Sequence, residues 1–92
     1  MKVYIAGPMI CDDDYNQEAF FEATKKLEEL RWEPVHTEGL TGGLAYEEYL
    51  EKSLEMLKGC DAICLLEDWG KSRVAVMEYA YARSMGLPEI RL

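Results

Sequence analysis

Asp61-Ala62-Ile63-Cys64-Leu65-Leu66 is the stretch that decides the fold. After one acidic residue it is apolar without a break. The run is too short for a helix of ordinary length, and it does not alternate as a strand with one wet face would. A short continuous apolar run of this kind predicts a strand covered on both faces, the hallmark of a parallel sheet between helical layers.

Outward from it, strand and helix signals alternate. Lys2 to Ala6 is a β-rich run that ends in Gly7-Pro8. Cys11 to Asp14 is a polar loop. Tyr15 to Leu30 carries Ala19, Phe20, Ala23, Leu27 and Leu30 at helical spacing, with Asp14 or Asn16 as a cap. Trp32 to His36 is a second strand, and Pro34 within it suits a sheet edge. Thr37 to Gly43 is glycine-rich. Leu44 to Leu57 predicts a second amphipathic helix, with Tyr46, Tyr49, Leu50, Leu54 and Leu57 as its apolar set. Glu67 to Lys71 is a loop, Ser72 caps a third helix running to about Met85, and Gly86 stops it. Pro88 to Leu92 is a last strand. The expectation is one α/β domain over residues 1–92, a small Rossmann-like or flavodoxin-like three-layer sandwich around a four-stranded parallel sheet. Ligands of such sheets bind beyond the carboxyl ends of the strands. The loops after Ala6, His36 and Leu66 are therefore the ones to watch.

Bulk properties narrow the function classes. The chain has 92 residues, 49% of them hydrophobic, and a formal net charge of -8. That charge argues against a nucleic-acid binder or a membrane-surface binder. No apolar run approaches the ~20 residues of a membrane span, and the N-terminus reads as a strand rather than a signal peptide. The three cysteines, Cys11, Cys60 and Cys64, have no Cys-x-x-Cys spacing. They fit a reducing, cytoplasmic setting, and small buried thiols explain them better than a metal site shared with His36. Neither a metal nor a cofactor is expected. There is no Gly-x-Gly-x-x-Gly fingerprint and no Walker lysine.

Two features of the third helix carry chemistry. Glu78 lies within Val74-Ala75-Val76-Met77-Glu78-Tyr79-Ala80-Tyr81-Ala82, apolar at nearly every turn. A carboxylate there either escapes sideways to solvent or an arginine, or it is desolvated, with its pKa raised for a task. Ser72, between Lys71 and Arg73, opens the helix, where free N–H groups and partial positive charge suit an anion. The plainer reading is a serine cap with two solvated cations. Six residues separate Ser72 from Glu78, about 9 Å along a helix axis. Tyr4, on the neighbouring strand, is placed to hydrogen-bond Glu78. Trp69, beside the proposed cradle, is the aromatic best placed to stack on a ligand. Asp12-Asp13-Asp14 reads as a solvated charge run. A helix this apolar needs cover on more than one side, which predicts a homodimer or higher homo-oligomer packed through residues 72–86.

Tyr4-Ile5-Ala6-Gly7-Pro8-Met9, Cys60-Asp61-Ala62-Ile63, and Trp69-Gly70-Lys71-Ser72-Arg73 followed by Glu78 together resemble the nucleoside 2-deoxyribosyltransferase-like superfamily. The resemblance covers nearly the whole chain and looks closest to the small phage and bacterial branch, related to deoxynucleoside 5'-monophosphate N-glycosidases. It implies N-glycosidic bond cleavage or transfer on 2-deoxyribonucleosides or their 5'-monophosphates. In this resemblance Glu78 is the nucleophile, Tyr4 its orienter, and Gly7, Pro8, Met9, Trp69, Gly70, Ser72 and Arg73 hold the substrate. A serine at the place of Ser72 goes with phosphorylated substrates. The sequence departs from the family at Ser53, which stands where relatives carry an aspartate that works as general acid or base. A serine hydroxyl does that work poorly. The residues thus leave three readings open: a glycosidase or transferase, a nucleotide-binding protein on the same fold that has lost catalysis, and a small oligomeric interaction module.

Overall fold

The computed structural model describes residues 1–7, 17–35, 46–67 and 69–92. Four strands form one sheet: β1 (Lys2–Ala6), β2 (Glu33–Val35), β3 (Ala62–Leu65) and β4 (Glu89–Ile90). The spatial order is β2-β1-β3-β4 and every pair is parallel. Between them run α1 (Gln17–Glu29), α2 (Tyr46–Lys58) and α3 (Arg73–Ser84), with a 3₁₀ turn at Trp69–Lys71. The expected α/β architecture is the one observed, with β3 interior and the proline-bearing β2 at an edge.

Register explains why β3 reads as unbroken apolar sequence. Tyr4 lies beside Ile63 and Ala6 beside Leu65; Val3 lies beside Ala62 and Ile5 beside Cys64. Alternate residues point to opposite faces. Val3, Ile5, Ala62 and Cys64 pack with Phe20, Ala23 and Leu27 of α1. Tyr4, Ala6, Ile63 and Leu65 pack with Leu57 of α2 and Ala75 and Ala82 of α3. Both faces are buried, so no position in β3 is left for a polar side chain. Asp61, just before it, accepts a hydrogen bond from the Lys2 backbone N–H at 2.9 Å and gives its own N–H to the Lys2 carbonyl at 2.7 Å. This pins the starts of β1 and β3 together, far from their carboxyl ends.

Helix ends follow local chemistry. Ser72 caps α3: its Oγ accepts from the Ala75 N–H at 3.1 Å. At the other end Gly86 takes φ 76°, its N–H bonding the Arg83 carbonyl and the Leu87 N–H the Ala82 carbonyl, each at 3.0 Å. That is a glycine-closed Schellman turn. α1 closes the same way through Arg31, at φ 65°.

Several expected boundaries shift. Leu30 falls in the turn beyond α1 and is exposed rather than part of its apolar stripe. Trp32 precedes β2 and Pro88 precedes β4. Residues Glu67 to Lys71 are not all loop, since Trp69–Lys71 make the 3₁₀ turn. Cys11, Asp12 to Asp14, His36 and the glycine-rich segment lie outside the described residues. Cys60 and Cys64 are buried, and burial pushes both thiols up to about 11, which keeps them protonated and inert. No helix among the described residues is long and apolar enough to cross a membrane.

Candidate active site

Tyr4 enters the α2/α3 layer because it occupies the β1 position between Val3 and Ile5, which face α1. Glu78 enters the same layer because it shares the inward stripe of α3 with Ala75 and Ala82. Ser53 is one turn before Leu57 on the buried stripe of α2. Three elements therefore deliver one polar side chain each to a single, otherwise apolar layer.

The Tyr4 hydroxyl donates to Glu78 Oε2. The Ser53 hydroxyl, on the same side of the sheet, donates to the Leu50 carbonyl at 2.9 Å. Glu78 is 3% exposed and Ser53 fully buried. No buried side-chain nitrogen or oxygen among the described residues lacks a partner, as polar groups in a dry interior require. Burial raises the Glu78 pKa from 4.5 to about 7, against the Tyr4 hydrogen bond and the nearby Ser53 hydroxyl, which lower it. Of the two fates open to Glu78 in the sequence, escape or desolvation, the second is the one found. At neutral pH the carboxyl is divided between its two forms, poised for a proton or for attack.

The other expected site residues divide. Ser72 sits at the start of α3, above Glu78 on the same helix, and its oxygen lone pair serves the cap described above. Arg73 and Lys71 flank it and are exposed. Gly7 follows β1 with no room to spare: a Cβ there would meet Leu66 Cβ at 2.8 Å and Cδ1 at 2.9 Å. The glycine is explained by strand-to-strand contact rather than by approach of a ligand. Gly70 has open space around the place of a Cβ. Trp69 is half-buried against the core, with its ring 4.7 Å from that of Tyr79 at 53° and the Arg91 guanidinium 5.9 Å from its centroid. One reason for the tryptophan is thus packing. Pro8 and Met9 lie outside the described residues, as does Asp68.

Sequence reasoning missed that Ser53 and Glu78 are buried in the same layer. It marked position 53 as a lost acid and did not place it with the glutamate. The signal was present in the helical stripe Leu50, Ser53, Leu54, Leu57, in which a serine replaces an apolar residue on the buried side. It missed the Trp69–Tyr79 ring pair as well, because the two residues are brought together only by the 3₁₀ turn.

The fold itself recurs in a known protein. A 2-desoxiribosyltransferase from Leishmania mexicana has the same fold, with a TM-score of 0.74 at 19% sequence identity; the match covers 99% of this chain and 63% of that one. This chain thus spans less than two thirds of that protein's length. No curated protein matches the chain significantly by sequence. Residues 1–90 match the family described as Domain of unknown function (DUF4406), and the chain belongs to that family.

Proposed function

We propose that this chain breaks the N-glycosidic bond of 2-deoxyribonucleosides or their 5'-monophosphates, passing the sugar to water or to a second base, with Glu78 as nucleophile. The observation that carries the reading is the buried Glu78 carboxyl, held by Tyr4 and poised near neutrality between α3 and the parallel sheet. The shared fold with a 2-desoxiribosyltransferase supports the same class of chemistry.

In the first step an oxygen of ionised Glu78 attacks the anomeric carbon. The carbon–nitrogen bond breaks and its electron pair leaves with the base. In the second, water or another base attacks the same carbon and returns the Glu78 carboxylate, the retaining logic of two-step glycosidases. Tyr4 holds the attacking carboxyl in one orientation. Ser72 and the first N–H groups of α3, with Arg73 beside them, receive a 5'-phosphate. Trp69 offers an aromatic face to the base, and the resemblance assigns Gly7, Pro8, Met9 and Gly70 to substrate binding as well. The departing base takes its proton from solvent, since Ser53 does not act as an acid near neutral pH. General acid help is worth roughly 10²–10⁴ in rate, so turnover is slow and favours bases that leave readily. The domain over residues 1–92 pairs with a second copy through residues 72–86, where Val76 and Met77 leave an apolar stripe exposed.

Incubation with deoxynucleosides and their 5'-monophosphates, followed by chromatography of the free base, tests this. Base release by the wild type and none by Glu78→Gln is expected. No release at high enzyme over long incubation would overturn catalysis. It would favour the second reading, a nucleotide-binding protein, whose supporting observation is the buried serine in place of an acid. Saturable nucleotide binding without turnover would then be found by calorimetry.

A further inference from the structure

Among the described residues β4 is the outer strand of the sheet beyond β3, and an edge strand offers its outward N–H and C=O groups to another chain. The Ile63 N–H donates to the Pro88 carbonyl at 3.0 Å, and Ile63 lies beside Glu89. Pro88 and Ile90 therefore turn their backbone groups to β3, while Glu89 and Arg91 turn theirs to the open edge. The side chains of this segment alternate between the two faces of the sheet. Ile90 packs against the α1 face. The Arg91 guanidinium lies over the Trp69 ring on the α2/α3 face and pairs with Glu89 at 3.3 Å.

We propose that β4 pairs antiparallel with β4 of a second copy about a two-fold axis through Ile90, joining the two four-stranded sheets into one. Charge picks the register. Antiparallel strands exchange backbone bonds only where both residues turn their groups to each other, which leaves Glu89 and Arg91 as the bonding positions. An axis through Glu89 would set two carboxylates face to face, and an axis through Arg91 two guanidiniums. With Ile90 on the axis, each Glu89 faces the partner's Arg91, and signs alternate around the four side chains. Opposite charges directly across a strand pair are favourable and like charges are not. On the other face Ile90 meets its own copy at the short Cα separation of a non-hydrogen-bonded pair, about 4.5 Å, and the exposed Leu92 comes opposite Pro88. Every position from 88 to 92 is thus complementary to its own copy, as a two-fold contact requires. The formal net charge of -8 does not stand against it. Residues 69–92 hold Lys71, Arg73, Arg83 and Arg91 against Glu89 and the buried Glu78, so the copies meet through a region that is not acidic. This contact is separate from the exposed face of α3 and does not depend on the glycosidase reading.

Sedimentation equilibrium of the intact protein, from micromolar to millimolar concentration, tests the pairing. It is run in a Met77→Lys background, so that contact through the exposed Val76 and Met77 does not contribute. Self-association is expected in that background. Arg91→Glu opposes carboxylates at both charge pairs and Glu89→Arg opposes guanidiniums, and each should weaken the association about tenfold or more. Carrying both changes in one chain returns opposite charges to each pair and should return the association. Mixing the two single variants should do the same, each binding the other more tightly than it binds itself. The side chains of Glu89 and Arg91 are 35% and 58% exposed, so these variants are expected to fold, which circular dichroism checks. A Met77→Lys protein that stays monomeric across the series would overturn the proposal. So would a single variant that associates as its parent does, or a double swap that stays apart.

Discussion

The two faces of the sheet are built on different terms. Toward α1 the contact is wholly apolar: Val3, Ile5, Ala62 and Cys64 against Phe20, Ala23 and Leu27. Toward α2 and α3 the same strands present Tyr4, Ala6, Ile63 and Leu65, and the helices answer with Ser53 and Glu78 among their apolar residues. The first arrangement contributes stability and nothing else visible. The second accepts the desolvation of a carboxyl, and a chain that gains only stability from a layer has no reason to place one there. One face supports the fold; the other spends part of that support on a reactive group.

The largest effect expected from this contrast is on the α1 face. Leu27 is fully buried, and Leu27→Ala should cost about 2–5 kcal/mol by lost transfer energy and the cavity left behind. Denaturant unfolding measures it. The protonation midpoint of Glu78, followed by NMR, should not move in the folded fraction, because the sheet separates the two layers. A midpoint displaced by Leu27→Ala would break the comparison.

On the other face the sign reverses with pH. Unfolded, Glu78 gives up its proton near 4.5; folded, it does so near 7. The folded state therefore binds that proton more tightly. Its contribution is fully present below pH 4.5 and is lost as pH rises through 7, a difference of about 3 kcal/mol. Glu78→Gln imitates the protonated form, with Tyr4 donating to the amide oxygen. The variant should match the wild type near pH 4.5 and exceed it by up to about 3 kcal/mol above pH 8. Urea midpoints for the pair across this range provide the measurement. Equal stability at both ends would mean that the carboxyl is solvated and that the two faces are alike after all.

The same contrast shows what a sequence discloses. Continuous apolar character in Asp61 to Leu66 and the alternation around it suffice for a parallel α/β sheet, because burial on both faces leaves a mark at every residue. Glu78 was legible as a polar residue out of place, and Tyr4 as its neighbour once adjacent strand and helix were assumed. Ser53 was not legible as their companion. A serine in a helix is ordinary, and only the packing of α2 against α3 brings it into the layer that holds the carboxyl. Nor was the approach of Leu66 to Gly7 legible, a contact fixed by strand pairing between segments nearly sixty residues apart in sequence. Single-residue anomalies survive in sequence; pairings made by tertiary packing do not.

The smallest effect concerns how the helices of the two faces end. α3 closes with Gly86 at φ 76°, where the absence of a Cβ makes the left-handed conformation free of strain. α1 closes with Arg31 at φ 65°, a conformation in which an L side chain crowds the carbonyl at a cost of about 1 kcal/mol. Both turns make the same pair of backbone bonds: at Arg31 they run from its N–H to the Glu28 carbonyl at 2.9 Å and from the Trp32 N–H to the Leu27 carbonyl at 3.0 Å. The arginine side chain is exposed. Arg31→Gly should therefore stabilise the protein, by somewhat less than the strain removed, since glycine also frees the unfolded chain. A gain of about 0.5 kcal/mol in urea unfolding is expected, with no change in the Glu78 titration. A loss of stability would mean that Arg31 makes a contact worth more than its strain, and the apolar face would then depend on a polar residue at its boundary, which is the one dependence its core does not show.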